Sequence, residues 1–291
     1  METMSRREYV TRIVAAVALA LATVLGSLCL FSSFASRGIT VPSKISNRVS
    51  HAGVEYKYNL EEKTVTVTSS GDDYVWPLAS LMISDDINTQ NILLAAEHFD
   101  CNAAIAYAMS EPVRHNLIDT IRISTDYAEE YHFQRDARGQ ITSCRIKDSG
   151  SGIPDFTLKF KYDKHGRFLS ASGTYIPERD TDRKRYEFSC KYAKDGTIQS
   201  IRDINQDEPH ELSFKKDRAG RFTQLRDLTD KGTEEEALQV TNFRYNSDGK
   251  IAEEKNADGF GSTAYVYNHR GQLHKIVYED HEIVVHTTRL S

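Results

Sequence analysis

Apolar and polar residues alternate along most of the chain beyond residue 50, a pattern typical of β-strands with one buried face. In residues 156–162, Phe156, Leu158, Phe160 and Tyr162 alternate with polar residues. The same period of two returns in residues 186–192. The pattern therefore predicts a mainly β protein whose strands each bury one face.

Six short segments between residues 131 and 273 repeat one arrangement: an aromatic-x-aromatic strand end, a polar turn closed by glycine, and an apolar residue two places later. The copies are residues 133–141, 160–168, 190–198, 214–222, 243–251 and 265–273. Each turn opens with Asp or Asn, whose side chain can accept hydrogen bonds from backbone amides two residues on, except at Ala193. The closing glycine supplies a positive φ. The repeat predicts six β-hairpins that stack, because one hairpin cannot bury its apolar face alone.

The copy in residues 160–168, Phe-x-Tyr-Asp-x-x-Gly-Arg-Phe, resembles the YD repeat of the RHS/YD-repeat family. The resemblance covers residues 131–278, with departures: Arg135 and Lys216 replace the second tyrosine, and Ala193 replaces the aspartate. Large members of that family build β-rich shells around a toxin, but six copies are too few for a shell and no toxin domain follows them. The resemblance implies an antiparallel β-hairpin meander or short β-solenoid, a scaffold for binding without catalytic residues of its own.

The remaining segments complete a division into four regions. Residues 1–37 and the linker 38–51 precede a region, 52–130, that holds a degenerate hairpin at 55–68 with Lys63 in its turn. Alanine and leucine then predominate from Asp85 to about Met109, which predicts one or two short helices, capped by Asp85 or Asp86, that cover one end of the sheet. Residues 131–291 form the YD-like repeat domain.

The N-terminus carries a different signal. Arg6, Arg7 and Arg12 precede an uncharged run at residues 13–34, which is long enough to span a bilayer. The positive flank predicts a single-pass membrane protein with its C-terminal domain outside the cytoplasm, in the periplasm or extracellular space. Cleavage near Ala35, which would secrete the domain, remains an alternative.

Charge and candidate chemistry narrow the function classes. Beyond residue 37 the chain has 33 basic and 40 acidic residues, a net charge of about −7, which argues against nucleic-acid binding. His98 and Cys101 could form a nucleophile pair, but stray polar residues of a terminal helix explain them better, because no second motif supports a catalytic site. The spacing of the histidines at 269, 274, 281 and 286 matches no zinc site, so we expect no metal and no cofactor. Three cysteines lie beyond the N-terminal segment: Cys101, Cys144 and Cys190. At least one of them has no disulfide partner within the chain, and a single disulfide that involves Cys144 is an alternative.

One set of cations forms a candidate binding surface. The residue between the two aromatic positions should point away from the buried face of the sheet. The residue after glycine should point to the same side. Stacked hairpins would align a basic ladder of Lys161, Lys191, Lys215 and Arg244, with Arg167, Arg221 and Lys250 beside it. Such a stripe suits an acidic protein or an anionic polymer. The alternative is that these residues only keep the sheet surface soluble.

The sequence therefore predicts a non-enzymatic, membrane-anchored extracytoplasmic protein that binds a macromolecular partner through its β-sheet. A toxin-associated or immunity-like role is one version of that hypothesis, suggested only by analogy with the family's toxin context. Two other hypotheses remain: an exported hydrolase with a site near His98 and Cys101, and a purely structural envelope protein.

Overall fold

The computed structural model describes residues 38–48, 53–70, 84–98, 103–124, 128–148, 155–176, 182–205, 208–228, 240–257 and 261–290. The chain divides into two compact units, and the account that follows concerns the larger one, Val41–Thr288. The predicted boundaries at residues 51 and 130 both fall inside this unit, so the linker, hairpin-plus-helix and repeat regions fold together.

The described secondary structure is mainly β. The described residues form three helices: α1 (Ile87–His98), α2 (Ala103–Met109) and α3 (Glu111–Arg114). The strands are β1 (Ile39–Asn47), β2 (Gly53–Asn59), β3 (Thr64–Ser69), β4 (Thr120–Ser124), β5 (Ala128–Arg135), β6 (Ile141–Asp148), β7 (Phe156–Tyr162), β8 (Phe168–Tyr175), β9 (Lys184–Tyr192), β10 (Ile198–Asn205), β11 (Glu208–Lys216), β12 (Phe222–Asp227), β13 (Val240–Tyr245), β14 (Ile251–Asn256), β15 (Ser262–Tyr267), β16 (Leu273–Val277) and β17 (Glu282–Leu290).

The sheet closes on itself. From β4 to β17 each strand pairs antiparallel with the next, and β1 pairs with both β2 and β17. On the β17 side, the Ser43 hydroxyl donates to the carbonyl of His286 at 3.1 Å and the Arg48 amide donates to the carbonyl of Glu282 at 3.3 Å. The predicted β-hairpin meander or short β-solenoid is therefore wrong: every described strand has a partner on both sides, and the strands form a closed barrel.

The prediction of a linker at residues 38–51 is also wrong, because residues 39–47 form the strand that closes this barrel. Val41 and Ile45 are buried in it, at 0% and 3% exposure. A proline and several serines hide the strand in the sequence, because these residues are typical of loops and edges.

One junction of the barrel is parallel. β3 and β4 run in the same direction, with Val65 opposite Ile121, while the other junctions with a described register are antiparallel. A parallel pair needs a long crossover connection, and here the segment that contains α1, α2 and α3 provides it.

The apolar face of the sheet is the one that meets the helices. On β7, Leu158 and Phe160 are buried while Lys159 and Lys161 are exposed, as the alternating pattern predicts. All seven residues of α2 are buried, and the Tyr107 ring packs edge-on against Tyr131 of β5 with centroids 5.1 Å apart. The predicted helices exist: α2 packs against the inner face of the barrel, and α1 bonds to turns at one end of it.

Two local predictions are confirmed. The Asp86 carboxylate accepts from the Thr89 amide at 2.8 Å, so Asp86 caps α1. In the β2–β3 turn, Lys63 takes the positive φ, +51°, that glycine supplies in the six later turns.

In the described ranges no helix has the length and apolarity needed to cross a bilayer. The predicted anchor, residues 13–34, lies outside those ranges. The described residues therefore do not bear out the single transmembrane helix, the single-pass localisation with an extracytoplasmic domain or the secretion after cleavage near Ala35.

Closure through β1 predicts that its buried face matters for stability. Ile45→Ala should lower the free energy of unfolding by about 2–5 kcal/mol, because it leaves a cavity in a closed wall. Lys44→Ala, at an exposed position of the same strand, is the control. Denaturant unfolding of both variants checks this, and equal stabilities would show that residues 39–47 behave as a linker.

Candidate functional site

The six repeated turns share one geometry. In the β7–β8 turn, the Asp163 amide donates to the carbonyl of Arg167 at 2.9 Å and the Gly166 amide donates to the carbonyl of Asp163 at 3.0 Å. The same two bonds recur in the other five turns, and the register shifts by one residue beside each turn. The closing glycines have φ between +71° and +87°, as the sequence predicts.

The first residue of each turn also acts as expected. Oδ1 of Asp163 accepts from the amides of His165 and Arg167, at 2.8 and 3.0 Å. The corresponding residues of four other turns make the same pair of bonds: Asp136, Asp217, Asn246 and Asn268. In the turn that begins with Ala193, Asp195 accepts from the Thr197 amide instead.

Side chains connect each turn to the next one. The Arg167 guanidinium pairs with Asp163 at 2.6 Å and lies 4.3 Å from the centre of the Tyr192 ring in the following hairpin. The Tyr192 hydroxyl donates back to the carbonyl of Phe168 at 2.8 Å. The aspartate, arginine and tyrosine of the repeat thus form a clamp between neighbouring hairpins.

The clamp recurs along the edge of the barrel. Arg221 pairs with Asp217 at 2.6 Å and stacks on Tyr245 at 4.5 Å, and the Tyr245 hydroxyl donates to Phe222 at 2.7 Å. Lys250 lies 5.4 Å from the centre of the Tyr267 ring, whose hydroxyl donates to Ile251 at 2.8 Å.

The two departures from the tyrosine pattern keep part of this role. Lys216 donates to the carbonyl of Ile198 at 2.8 Å, the position that a tyrosine hydroxyl reaches elsewhere. Arg135 turns toward the helices: it donates to the carbonyl of Ile118 at 3.2 Å and to Asp119 at 3.3 Å.

The predicted basic ladder separates into two groups. Arg167, Arg221 and Lys250 belong to the clamps, and Arg244 pairs with Glu253 on the neighbouring strand at 2.9 Å. Lys161, Lys191 and Lys215 remain, and each is exposed and within the described residues forms no ion pair. We call these three residues the lysine row.

The lysine row lies on the outer face, on β7, β9 and β11. Its members are two strands apart, which corresponds to about 10 Å between neighbouring positions. Their cross-strand partners are neutral: Ser170 opposite Lys161, and Ser200 opposite Lys191. A depression of about 680 Å³ includes Lys191 and the side chain of Arg202.

A second feature lies at the turn end of the barrel, where the first turns of α1 meet the β5–β6 and β7–β8 turns. A cavity of about 440 Å³ opens there, lined by four arginines, one carboxylate and an apolar wall. The arginines are Arg114, Arg135, Arg138 and Arg167, and the carboxylate is Asp86. No periodic pattern in the sequence indicates this site, because its residues meet only when the crossover packs against the turns.

The candidate catalytic groups find no support in the described residues. Cys101 and the side chain of His98 lie outside them. Cys144 and Cys190 are buried and unpaired, and burial raises the pKa of both thiols, which disfavours the reactive thiolate. No cluster of metal-ligating side chains occurs in the part of the chain that the structure describes.

Comparison with known proteins yields little. No family model matches the chain, and no curated protein matches it. Among solved structures, a porin-like protein from Bacteroides uniformis ATCC 8492 is similar over 56% of this chain and 91% of its own, at 9% identity and a TM-score of 0.21. A likeness this weak carries no argument about fold or function. The resemblance of the repeats to the YD-repeat family stays a prediction.

The clamps predict unequal roles for two equivalent tyrosines. Tyr245→Phe removes a hydrogen bond to a backbone carbonyl and should lower the free energy of unfolding by about 1–3 kcal/mol. Tyr162→Phe should change stability little, because the Tyr162 hydroxyl has no protein partner in the described ranges. Denaturant unfolding compares the two, and equal losses would contradict the clamp.

The lowered pKa of Asp163 predicts that acid weakens the clamp. Burial by itself would raise the pKa of Asp163, but hydrogen bonds from Arg167 and His165, and the Arg167 charge, lower it to about 2. The clamp's contribution is therefore complete above the ordinary pKa of about 4 and is lost as the pH falls toward 2. Asp163→Asn keeps the hydrogen bonds that the turn's amides donate. The variant should therefore be less stable to unfolding than the native protein at neutral pH, and this difference in stability should vanish near pH 2.

Urea midpoints measured between pH 7 and pH 2 test this. Asp136→Asn is the control, because its turn has Gln140 in place of the arginine. A deficit of Asp163→Asn that does not change with pH would show that the carboxylate charge is irrelevant.

Proposed function

We propose that this protein is a non-enzymatic binding protein whose outer sheet face engages an acidic macromolecular partner through the lysine row, Lys161, Lys191 and Lys215. The observation that carries the proposal is the difference between these lysines and the other cations of the repeat. The clamp residues and Arg244 have acidic or aromatic partners within the protein, whereas the lysine row has none among the described residues. Unpaired cations on a rigid sheet are available to an external anion without first breaking an internal ion pair.

The geometry favours an acidic protein over a continuous polyanion. The lysines are separated by about 10 Å, with neutral residues between them, so their charge density is low for tracking a polymer of closely spaced anions. The whole chain also has a net charge of −5, which repels a long polyanion. An acidic protein can instead place single carboxylates opposite single lysines.

A rigid scaffold supports this role. The clamp between Arg167 and Tyr192 and the bond from Lys216 to Ile198 connect the three hairpins that carry the lysines, so their strands have fixed relative positions. Binding then requires little reorganisation of the sheet, and less free energy is lost in ordering the interface. The depression beside Lys191 offers a place where a partner side chain could insert.

Charge reversal of the row tests the proposal. The triple variant Lys161→Glu, Lys191→Glu and Lys215→Glu should weaken partner binding by about tenfold or more, because each rim charge becomes repulsive. The matched control reverses three exposed lysines on strands away from the row: Lys44, Lys57 and Lys255. Crosslinked capture from intact cells identifies the partner, and titration of the purified pair at rising salt measures the affinity.

A partner that is lost only from the row variant, with an affinity that falls as salt rises, supports the proposal. Equal capture by the row variant and the control would place the interface elsewhere on the barrel. A nucleic acid or polysaccharide as the captured species would overturn the choice of an acidic protein.

A further inference from the structure

The cavity at the turn end of the barrel has more positive than negative charge in its lining. Two of its four arginines already have carboxylate partners: Arg135 bonds to Asp119 and Arg167 to Asp163. Arg114 and Arg138 differ, since neither forms an ion pair with any residue in the described ranges. The cavity therefore presents two guanidinium groups whose charge the protein leaves unpaired.

Arg114 bonds to hydroxyl groups. Its Nη1 atom donates to the Ser84 hydroxyl at 3.1 Å and lies 3.5 Å from the Thr89 hydroxyl. The only carboxylate in the lining, Asp86, caps α1 by accepting from the Thr89 amide and hydroxyl. A guanidinium held by hydroxyl groups alone keeps most of its capacity to bind an anion.

Tyr162 adds a donor without a protein acceptor. The equivalent tyrosines at 192, 245 and 267 each donate to a carbonyl of the preceding hairpin, but within the described residues the Tyr162 hydroxyl donates to none. It lines the cavity instead. Burial raises the pKa of Tyr162 to about 12, although Arg135 and Arg114 lie near enough to oppose that rise, so the hydroxyl is a neutral donor in a cationic field.

The lining of the cavity also contains apolar residues. Ile92 and Met109 come from the helices, and Ile141 and Phe168 come from the strands. The volume of about 440 Å³ lies within the range of small-molecule sites. Such a lining suits a ligand with a charged head and a short apolar body.

We propose that this cavity binds a small organic carboxylate, with the head group held by Arg114, Arg138 and the Tyr162 hydroxyl and the apolar body against Ile92, Met109 and Phe168. A planar carboxylate matches the fork of donors on a guanidinium. A monoanion also suits the local charge better than a phosphate dianion, because Asp86 and Asp136 lie at the same end of the barrel. This site is separate from the lysine row and does not depend on it.

The test uses hexanoate and its neutral analogue hexanamide as probes, with the full-length chain. Isothermal titration should show saturable one-to-one binding of hexanoate and at least about tenfold weaker binding of hexanamide, because the amide lacks the charge that the arginines attract. Hexanoate should also raise the melting temperature of the protein in proportion to its occupancy.

Three variants localise the site. Arg138→Gln, Arg114→Gln and Tyr162→Phe should each weaken hexanoate binding, the arginine changes by about tenfold or more and the tyrosine change by less. Arg270→Gln is the matched control, because Arg270 occupies the position of Arg138 in the β15–β16 turn, away from the cavity. Tyr162→Phe and Arg138→Gln alter no described side-chain bond, so their folding should stay native by circular dichroism.

Hexanoate binding that is lost from the cavity variants and kept by Arg270→Gln supports the proposal. Equal binding of hexanoate and hexanamide would overturn it, as would the absence of saturable binding. Displacement of hexanoate by inorganic phosphate at equal concentration would overturn the choice of a carboxylate head group. Loss of hexanoate binding in the lysine-row variant would contradict the separation of the two sites.

Discussion

Closure of the barrel is the constraint on which the rest of this structure depends. A ring of strands in which every junction is antiparallel must contain an even number of strands, because the direction reverses at each step. The described ring has seventeen strands, and it closes because one junction, β3–β4, is parallel. That junction requires a crossover, and the crossover places α1, α2 and α3 on the inner face. Closure also removes the exposed sheet edges that promote aggregation.

The clamps between turns determine how neighbouring hairpins stack. Hydrogen bonds within a sheet define the register of two strands but not which side chains meet at the turns. Here an arginine or lysine that follows three of the six closing glycines reaches the tyrosine of the next hairpin, and that tyrosine returns a hydrogen bond to the backbone. The signature of the repeat is therefore a unit of contact between consecutive hairpins, which explains why it recurs in neighbouring hairpins.

The clamps also separate the cations of the repeat into two groups. Cations at equivalent places in a repeat look alike in the sequence, yet they divide by what they contact. Arg167, Arg221 and Lys250 stabilise the scaffold, whereas the lysine row and Arg114 with Arg138 keep their charge available. The cations of the clamps are distinguished from the unpaired ones only by the carboxylates and rings that the fold brings beside them.

The sequence by itself determined the local structure. It predicted the six hairpins, the positive φ of their glycines and the bonds from backbone amides to the first Asp or Asn of the turns. It also predicted Lys63 in the first turn and the capped helices at residues 87–109. These features depend on interactions within a few residues, so the order of residue types is sufficient to predict them. Closure through β1, the inner position of the helices and the cavity depend on contacts between residues far apart in the chain. The pairing of Ser43 with His286 and the meeting of Arg114 with Tyr162 leave no periodic signal, so only the tertiary structure could decide them.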